Sequence, residues 1–128
     1  MASNPSAKQQ QGQAAEDAAF AFLQARGLRL LERNARYAVG EIDLVMLDGD
    51  DVVFAEVRQR RSDAFGGAAA SIDRRKMRKC AAAAQCWLKR NPRHAASGCR
   101  FDAVLLTGRE NDWHIEWLRS AFVFEDVF

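Results

Sequence analysis

The sequence has no CxxC pair and no long apolar run. Its three cysteines, Cys80, Cys86 and Cys99, are odd in number, which argues against a disulfide framework and against a zinc knuckle. They are expected to be small apolar residues in a reducing compartment. No apolar run approaches the roughly 20 residues of a membrane span, and residues 1–12 are polar, unlike a signal peptide. The sequence predicts a soluble cytoplasmic protein without membrane contact.

The composition is that of an ordinary folded protein. Apolar residues make up 48% of the 128 residues and charged residues 28%, which excludes a disordered or collagen-like chain. A chain of this length can bury roughly two thirds of its unfolded surface in one core. Residues 1–11 are rich in Gln and are predicted to be a disordered tail, followed by a single domain over residues 12–128.

The net charge of +2 hides a strong asymmetry along the chain. Residues 57–100 hold 12 of the 19 Lys and Arg residues, and only Asp63 and Asp73 oppose them. Residues 1–56 hold five basic and nine acidic residues. A basic middle segment of this kind is typical of proteins that contact nucleic acid, although a charge run on a helix is also commonly its solvated face.

The pattern predicts a helix, three strands, a second helix and two more strands. The first helix runs from Gly12 to a stop at Gly27, and a strand of moderate quality follows it. The second helix has Asp73 as its N-cap and ends at Asn91-Pro92. Its predicted apolar face consists of Met77, Cys80, Ala81, Ala84 and Leu88. Two strands then flank a turn over residues 108–112.

Three acidic residues lie within the apolar strands of the segment GEIDLVMLDGDDVVFAEVRQR, residues 40–60. The turn at residues 48–51 predicts a hairpin in which Asp43 opposes Glu56 and Glu41 opposes Arg58. Strand alternation places Val45 on the same side as Glu41 and Asp43, and the other side carries Ile42, Leu44 and Met46.

Opposed carboxylates destabilise a sheet unless one keeps its proton or a cation lies between them. A Mg²⁺ ion would satisfy such a pair, because it prefers oxygen ligands. The alternative is structural: Glu56 pairs with Arg58 or Arg60, and Asp43 lies on the solvent face of an edge strand. Periodicity leaves both interpretations open, and the basic segment favours a metal site that holds a phosphodiester.

The motifs GEIDLV, FAEVRQR, RRKMRK and RFDAV together resemble the UPF0102 (YraN-like) family of small bacterial proteins. That family is similar to the PD-(D/E)XK nucleases and to archaeal Holliday junction resolvases. The resemblance implies an α/β, restriction-endonuclease-like fold with a central mixed sheet of four or five strands flanked by helices. It also implies an endonuclease dependent on Mg²⁺ or Mn²⁺ that hydrolyses DNA in preference to RNA, with branched or recombination intermediates as candidate substrates. A homodimer is an expectation by analogy with the resolvases.

The resemblance also assigns roles to individual residues. Asp43 and Glu56 would bind Mg²⁺, with the Val57 carbonyl as a third ligand. Glu16 matches a helix-one glutamate that reaches the metal through water, although an exposed first-turn Glu at the helix dipole explains it almost as well. The family usually has Lys where this chain has Arg58, which stays protonated. Lys76 would then assist catalysis, or would simply be solvated.

The remaining family motifs concern charge. The predicted phosphate contacts are Arg60, Arg61, Arg74, Arg75, Arg78 and Lys79. Arg100 and Asp102 form the RFD element, for which a local ion pair is expected. Two alternatives to an active nuclease remain open at this point: a nucleic-acid-binding protein that has lost catalysis, and a protein-interaction adaptor with a structural acidic hairpin.

Overall fold

A computed structural model describes residues 7–60 and 74–128 of the chain, which form a five-stranded sheet with helices on both faces. Within these residues no helix is both long and apolar enough to cross a membrane. The elements in chain order are α1 Ala7–Ala25, β1 Arg29–Tyr37, β2 Gly40–Asp48, β3 Asp51–Arg60, α2 Arg74–Arg90, the one-turn helix α3 Pro92–Ala95, β4 Cys99–Arg109, β5 Asp112–Phe122 and a 3₁₀ turn Phe124–Asp126.

The strands lie in the sheet in the same order as in the chain, from β1 to β5. Strands β1, β2 and β3 are antiparallel neighbours, as are β4 and β5, whereas β3 and β4 are parallel. Parallel neighbours require a crossover, and the segment containing α2 supplies it. This mixed α/β sheet confirms the predicted restriction-endonuclease-like fold class.

Each helix packs on its own face of the sheet. Ala15, Ala19 and Leu23 of α1 lie in the apolar cluster that includes Leu44 and Val104. The short Ala side chains let the helix lie close to the strands. The opposite cluster joins α2 to the other face through Cys80, Ala81, Ala83, Ala84 and Trp87. The central strand β3 is therefore covered on both sides.

Two helix boundaries can be compared with the sequence predictions. Helix α1 begins at Ala7, five residues before the predicted start at Gly12 and inside the segment predicted to be disordered. The physical reason is that Ala, Lys and Gln, which make up residues 7–11, are good helix formers. Helix α2 ends at Arg90, which confirms the stop at Asn91-Pro92. The predicted N-cap Asp73 lies outside the described residues.

The β2–β3 hairpin has the predicted register. Leu44 pairs with Ala55 and Asp48 pairs with Asp51, and the ladder ends at the Leu44 pair. The predicted pairing of Glu41 with a β3 residue is wrong. Glu41 instead pairs with Arg36 of β1, whose Nε lies 3.2 Å from Glu41 Oε2.

The predicted alternation of sides is wrong at Ile42. This side chain packs in the α2-side cluster together with Val45, whereas Leu44 faces α1. The partners of Ile42 and Leu44 in β1 flank Asn34, which has a left-handed φ of 53°. A left-handed residue interrupts the regular pleat, so the strands change face between Ile42 and Leu44, beside Asp43.

Candidate functional site

The predicted carboxylate pair is present at the end of the β2–β3 ladder. Glu56 of β3 is only 4% exposed, and Asp43 of β2 is half-buried. The two side chains are close enough that Asp43 raises the pKa of Glu56. The backbone N–H of Val57 donates to Asp43 Oδ2 at 2.8 Å. This contact places Asp43 beside the Glu56–Val57 segment of β3, beyond the last pair of the β2–β3 ladder, and it fixes one oxygen of the Asp43 side chain.

Burial favours the protonated form of Glu56. Burial raises the pKa of Glu56 to about 8, with further contributions from the charge of Asp43 and from the hydrogen bond to it, while Arg58 opposes the shift. A protonated Glu56 can donate a hydrogen bond to the Asp43 carboxylate. Without a cation, the pair is thus compensated by a shared proton.

A third group from α2 reaches the carboxylate pair. Cys80 is 1% exposed, and its side chain lies next to Glu56. Burial, together with the neighbouring carboxyl, raises the pKa of the Cys80 thiol, so the thiol is the donor in this contact. The sequence predicted only an apolar filler. No sequence signal distinguishes Cys80 from the other apolar residues of its helix face.

Arg58 lies beside the pair with part of its donor capacity unused. Its Nη2 is 3.7 Å from Glu56 Oε2, and its side chain is 17% exposed. Among the described residues, buried Nε and Nη2 of Arg58 have no hydrogen-bond partner. Buried donors without partners cost free energy, and an incoming anion would satisfy them. Arg58 therefore supplies a positive charge next to the carboxylates, together with two N–H donor groups that have no acceptor.

Glu16 is not the exposed first-turn residue that the sequence left open. It is the tenth residue of α1, and its side chain is 12% exposed. Glu16 Oε1 accepts hydrogen bonds from Arg33 Nε at 3.0 Å, Arg33 Nη2 at 2.7 Å and Asn34 Nδ2 at 3.1 Å. Sequence analysis missed Arg33 and Asn34. The one sequence signal for this contact was the residue type of Asn34, because Asn adopts a left-handed backbone conformation more readily than most residues.

These groups surround two adjoining clefts. The carboxylate cleft, of about 290 Å³, is lined by Glu16, Asn34, Asp43, Val57, Arg58 and Lys76 among others. The hairpin cleft, of about 410 Å³, is lined by Tyr37, Val39, Glu56, Lys76 and Lys79 among others. Lys76 and Glu41 border both clefts. The structure thus brings Lys76 from α2 to the same site as the carboxylates.

The predicted phosphate contacts divide into three groups. Arg74, Arg75 and Lys79 are exposed on the first turns of α2. Arg78 is also exposed, but its Nε donates to the Val127 carbonyl oxygen at 3.3 Å, so it also holds the end of the chain. The Arg60 side chain and all of Arg61 lie outside the described residues.

Arg100 and Asp102 form the expected ion pair at a distance of 3.1 Å. Asp102 is fully buried and also accepts hydrogen bonds from Trp117 Nε1 and from the Ser120 backbone N–H, both at 2.9 Å. Arg100 Nη2 lies 2.7 Å from Asp48 Oδ2. The RFD element therefore joins β4 to β5 and to the β2–β3 turn, which is a structural role.

Comparisons with known proteins agree on one family. The model of the uncharacterised protein family UPF0102 matches residues 15–106. A UPF0102 protein of Xanthomonas axonopodis pv. citri is 52% identical over 122 residues, which cover 95% of this chain and 98% of the relative. A UPF0102 protein of Pseudomonas entomophila is 52% identical over 112 residues, which cover 87% and 91%. With matches over nearly the whole chain, this protein belongs to the UPF0102 family.

Proposed function

We propose that this protein is a metal-dependent endonuclease that hydrolyses phosphodiester bonds in DNA. The observation that carries the proposal is the neighbouring Asp43 and Glu56 side chains: Asp43 lines the carboxylate cleft with Arg58 and Lys76, and Glu56 lines the adjoining hairpin cleft, which Lys76 also borders. Paired carboxylates suit a divalent metal, and neighbouring cations suit a phosphodiester.

The carboxylate pair fits a Mg²⁺ or Mn²⁺ ion. Mg²⁺ commonly takes one or two protein carboxylates and keeps several waters. Asp43 and Glu56 would be the side-chain ligands, with the Val57 carbonyl as the proposed third; residues 7–60 and 74–128 contain no group of three or more His, Cys, Asp or Glu side chains suited to a metal. The proton reduces the repulsion between the two carboxyl groups, and a bound cation would take over that role and displace the proton. When bound, the ion would supply activation of water and neutralisation of phosphate charge.

The surrounding residues have complementary proposed roles. Arg58, with its unused buried donors, would hold a phosphate oxygen and stabilise the charge that develops during in-line attack. Lys76 would add a second cation at the border of both clefts. Glu16, clamped by Arg33 and Asn34, would orient water on the opposite side of the carboxylate cleft. Arg74, Arg75, Arg78 and Lys79, with Arg60 and Arg61, would contact the DNA backbone.

Arg58 also supports a second candidate function, a DNA-binding protein without turnover. A lysine in its place could lose a proton and assist the attacking water, whereas Arg remains protonated. Such a protein would keep metal binding and salt-dependent DNA affinity. The adaptor interpretation predicts neither property. The preference for branched DNA, the homodimer and the cytoplasmic location remain predictions.

Cleavage assays on a labelled panel test the proposal. The panel comprises single-stranded, duplex, flap and four-way-junction DNA together with RNA, each with Mg²⁺ or Mn²⁺. We expect cutting by the wild type that Asp43→Asn abolishes. Asp50→Asn, at an exposed position of the β2–β3 turn, is the matched control and should cut normally. DNA binding with no cutting by either the wild type or Asp43→Asn would favour the second candidate function.

A further inference from the structure

Part of the hairpin cleft is lined by apolar residues, which the hydrolysis of a phosphodiester does not require. The β1–β2 turn lines the cleft with an apolar wall of Tyr37, Ala38 and Val39, α2 lines it with a cationic wall of Lys76 and Lys79, and the charged residues Arg36 and Glu41 of the flanking strands also border it. Its volume of about 410 Å³ lies within the ~300–1,000 Å³ of small-ligand sites. The cleft therefore has room for a group larger than a phosphate.

Val39 is an exposed large apolar residue of this wall. It is 50% exposed and lies at the tip of the two-residue turn between Tyr37 and Gly40. Single exposed apolar residues are ordinary on protein surfaces, and Val123, which is 46% exposed, is one of them. Val39 differs because it shares its cleft with Glu56 and with two lysines.

The turn is held in a fixed position relative to α2. The guanidinium carbon of Arg90 lies 5.1 Å from the centre of the Tyr37 ring, a distance suited to a cation–π contact. At Gly40 the backbone of Lys79 comes so close that a Cβ atom would overlap its carbonyl oxygen. The apolar wall and the cationic wall therefore keep their spacing, as a preformed binding site requires.

An unpaired nucleotide matches both walls of the cleft. Its base is a flat, largely apolar group that can pack on Val39 and Tyr37, and its phosphates can approach Lys76 and Lys79. In a continuous duplex the base faces are covered by stacking, so only a nucleotide outside the stack can make the apolar contact. Glu56 lines the same cleft, which places such a nucleotide next to the carboxylate pair.

We propose that the hairpin cleft binds an unpaired nucleotide of the DNA substrate, so that the protein prefers strands with a flap or branch over continuous duplex. This inference rests on the proposed function and adds to it a nucleotide-binding subsite, the hairpin cleft, and a specificity residue, Val39. The phosphate contacts provide affinity for any DNA, and Val39 provides the discrimination between unpaired and paired strands.

The test is a binding comparison in EDTA, where cleavage is prevented. Fluorescence anisotropy would give the Kd of the full chain for a labelled duplex and for the same duplex with a single-stranded flap. We expect the wild type to bind the flap DNA about five- to tenfold more tightly, as the contact of one base on an apolar side chain allows. Val39→Ser should lose most of this preference, and the matched control Val123→Ser should keep it.

Each result has a distinct meaning. Equal affinity of the wild type for both DNAs, or an equal loss on both DNAs in Val39→Ser, would overturn the nucleotide site while leaving DNA binding in place. Failure of the wild type to bind either DNA in EDTA would overturn the nucleotide site, whereas the proposed function is judged separately by the cleavage assay with Mg²⁺ or Mn²⁺. Thermal unfolding of each variant verifies its fold, and Val39→Thr, which keeps the branched shape, should show a smaller loss of preference than Val39→Ser.

Discussion

At the scale of single residues, the proton on Glu56 should make the stability of the metal-free protein depend on pH. The folded state holds the pKa of Glu56 at about 8 against an ordinary value of 4.5. Between these values the unfolded chain has released the proton and the folded chain has kept it. The free energy of unfolding should therefore fall as pH rises, by up to about 1.4 kcal/mol per pH unit, in urea unfolding experiments in EDTA.

Substitution identifies the group responsible for this pH dependence. Glu56→Gln removes the titrating carboxyl and should remove the fall in stability from about pH 5 to pH 8. Glu41→Gln is the matched control, because the Glu41 side chain is 54% exposed and its neutralisation should leave the slope in place. A Glu56→Gln protein with the wild-type slope would contradict this assignment.

The same proton should couple metal binding to pH. A divalent ion at Asp43 and Glu56 must displace the proton that Glu56 keeps up to about pH 8. We expect the Kd for Mg²⁺ to tighten by about tenfold for each pH unit between pH 6 and pH 8, with the release of about one proton per ion. Titration calorimetry in two buffers of different ionisation enthalpy measures that release. Binding without proton release would contradict metal coordination by Glu56.

Arg58 should limit the rate of hydrolysis. Its guanidinium lies 3.7 Å from Glu56 and cannot accept a proton from water. Arg58→Lys places a titratable amine there, and we expect it to raise the cleavage rate by about tenfold, below the roughly 10²–10⁴ typical of a fully effective general base. Arg58→Gln is the control and should lower the rate. Equal rates in the Lys and Gln variants would show that charge and proton transfer at this position do not matter.

At the scale of elements, Gly40 fixes the contact between the β1–β2 turn and α2. A Cβ atom at this position would meet the carbonyl oxygen of Lys79, which is backbone and cannot rotate away. Gly40→Ala should therefore destabilise the protein by about 1–3 kcal/mol in urea unfolding. Gly12→Ala is the matched control: it lies in α1 with open space around it, so it should stabilise the protein by up to about 1 kcal/mol. Equal effects would contradict the close approach at Gly40.

The observed start of α1 changes the role that is inferred for Glu16. With the predicted start at Gly12, Glu16 was a first-turn residue facing the helix dipole. With the observed start at Ala7, Glu16 lies in the middle of α1 and points to Arg33 and Asn34. Helix propensity does not fix the first residue of α1, because Ala, Lys and Gln, which precede Gly12, are all good helix formers.

At the scale of the whole molecule, the asymmetry of charge should appear as salt-dependent DNA binding. Arg74 and Arg75 are exposed at the start of α2. If each neutralises one phosphate, the Arg74→Gln/Arg75→Gln protein should have a slope of log K against log salt that is smaller by about 2. The control, Arg109→Gln/Arg119→Gln, changes the same net charge on β4 and β5 and should leave the slope near its wild-type value. Equal slopes for both double variants would remove α2 from the DNA interface.

Much of the fold and half of the site could be predicted from the sequence. The five strands, the two long helices and the fold class followed from periodicity and from the family resemblance. The register of the β2–β3 hairpin, which brings Asp43 close to Glu56, followed from the turn at residues 48–51, because turn length fixes the register of a hairpin. The face change at Ile42 could not be predicted, since it depends on a left-handed Asn34 in the neighbouring strand.

The sequence by itself determined the features that depend on near neighbours: the order of strands and long helices, the hairpin register and the presence of two carboxylates near the end of the hairpin. Only the tertiary structure decided which distant groups reach them. Glu16 of α1, and Cys80 and Lys76 of α2, meet the hairpin because the two helices pack on opposite faces of one sheet. Burial between those faces is also what raises the pKa of Glu56. The solvation of a carboxyl group depends on all of the residues that pack around it, and these residues cannot be identified from the local sequence.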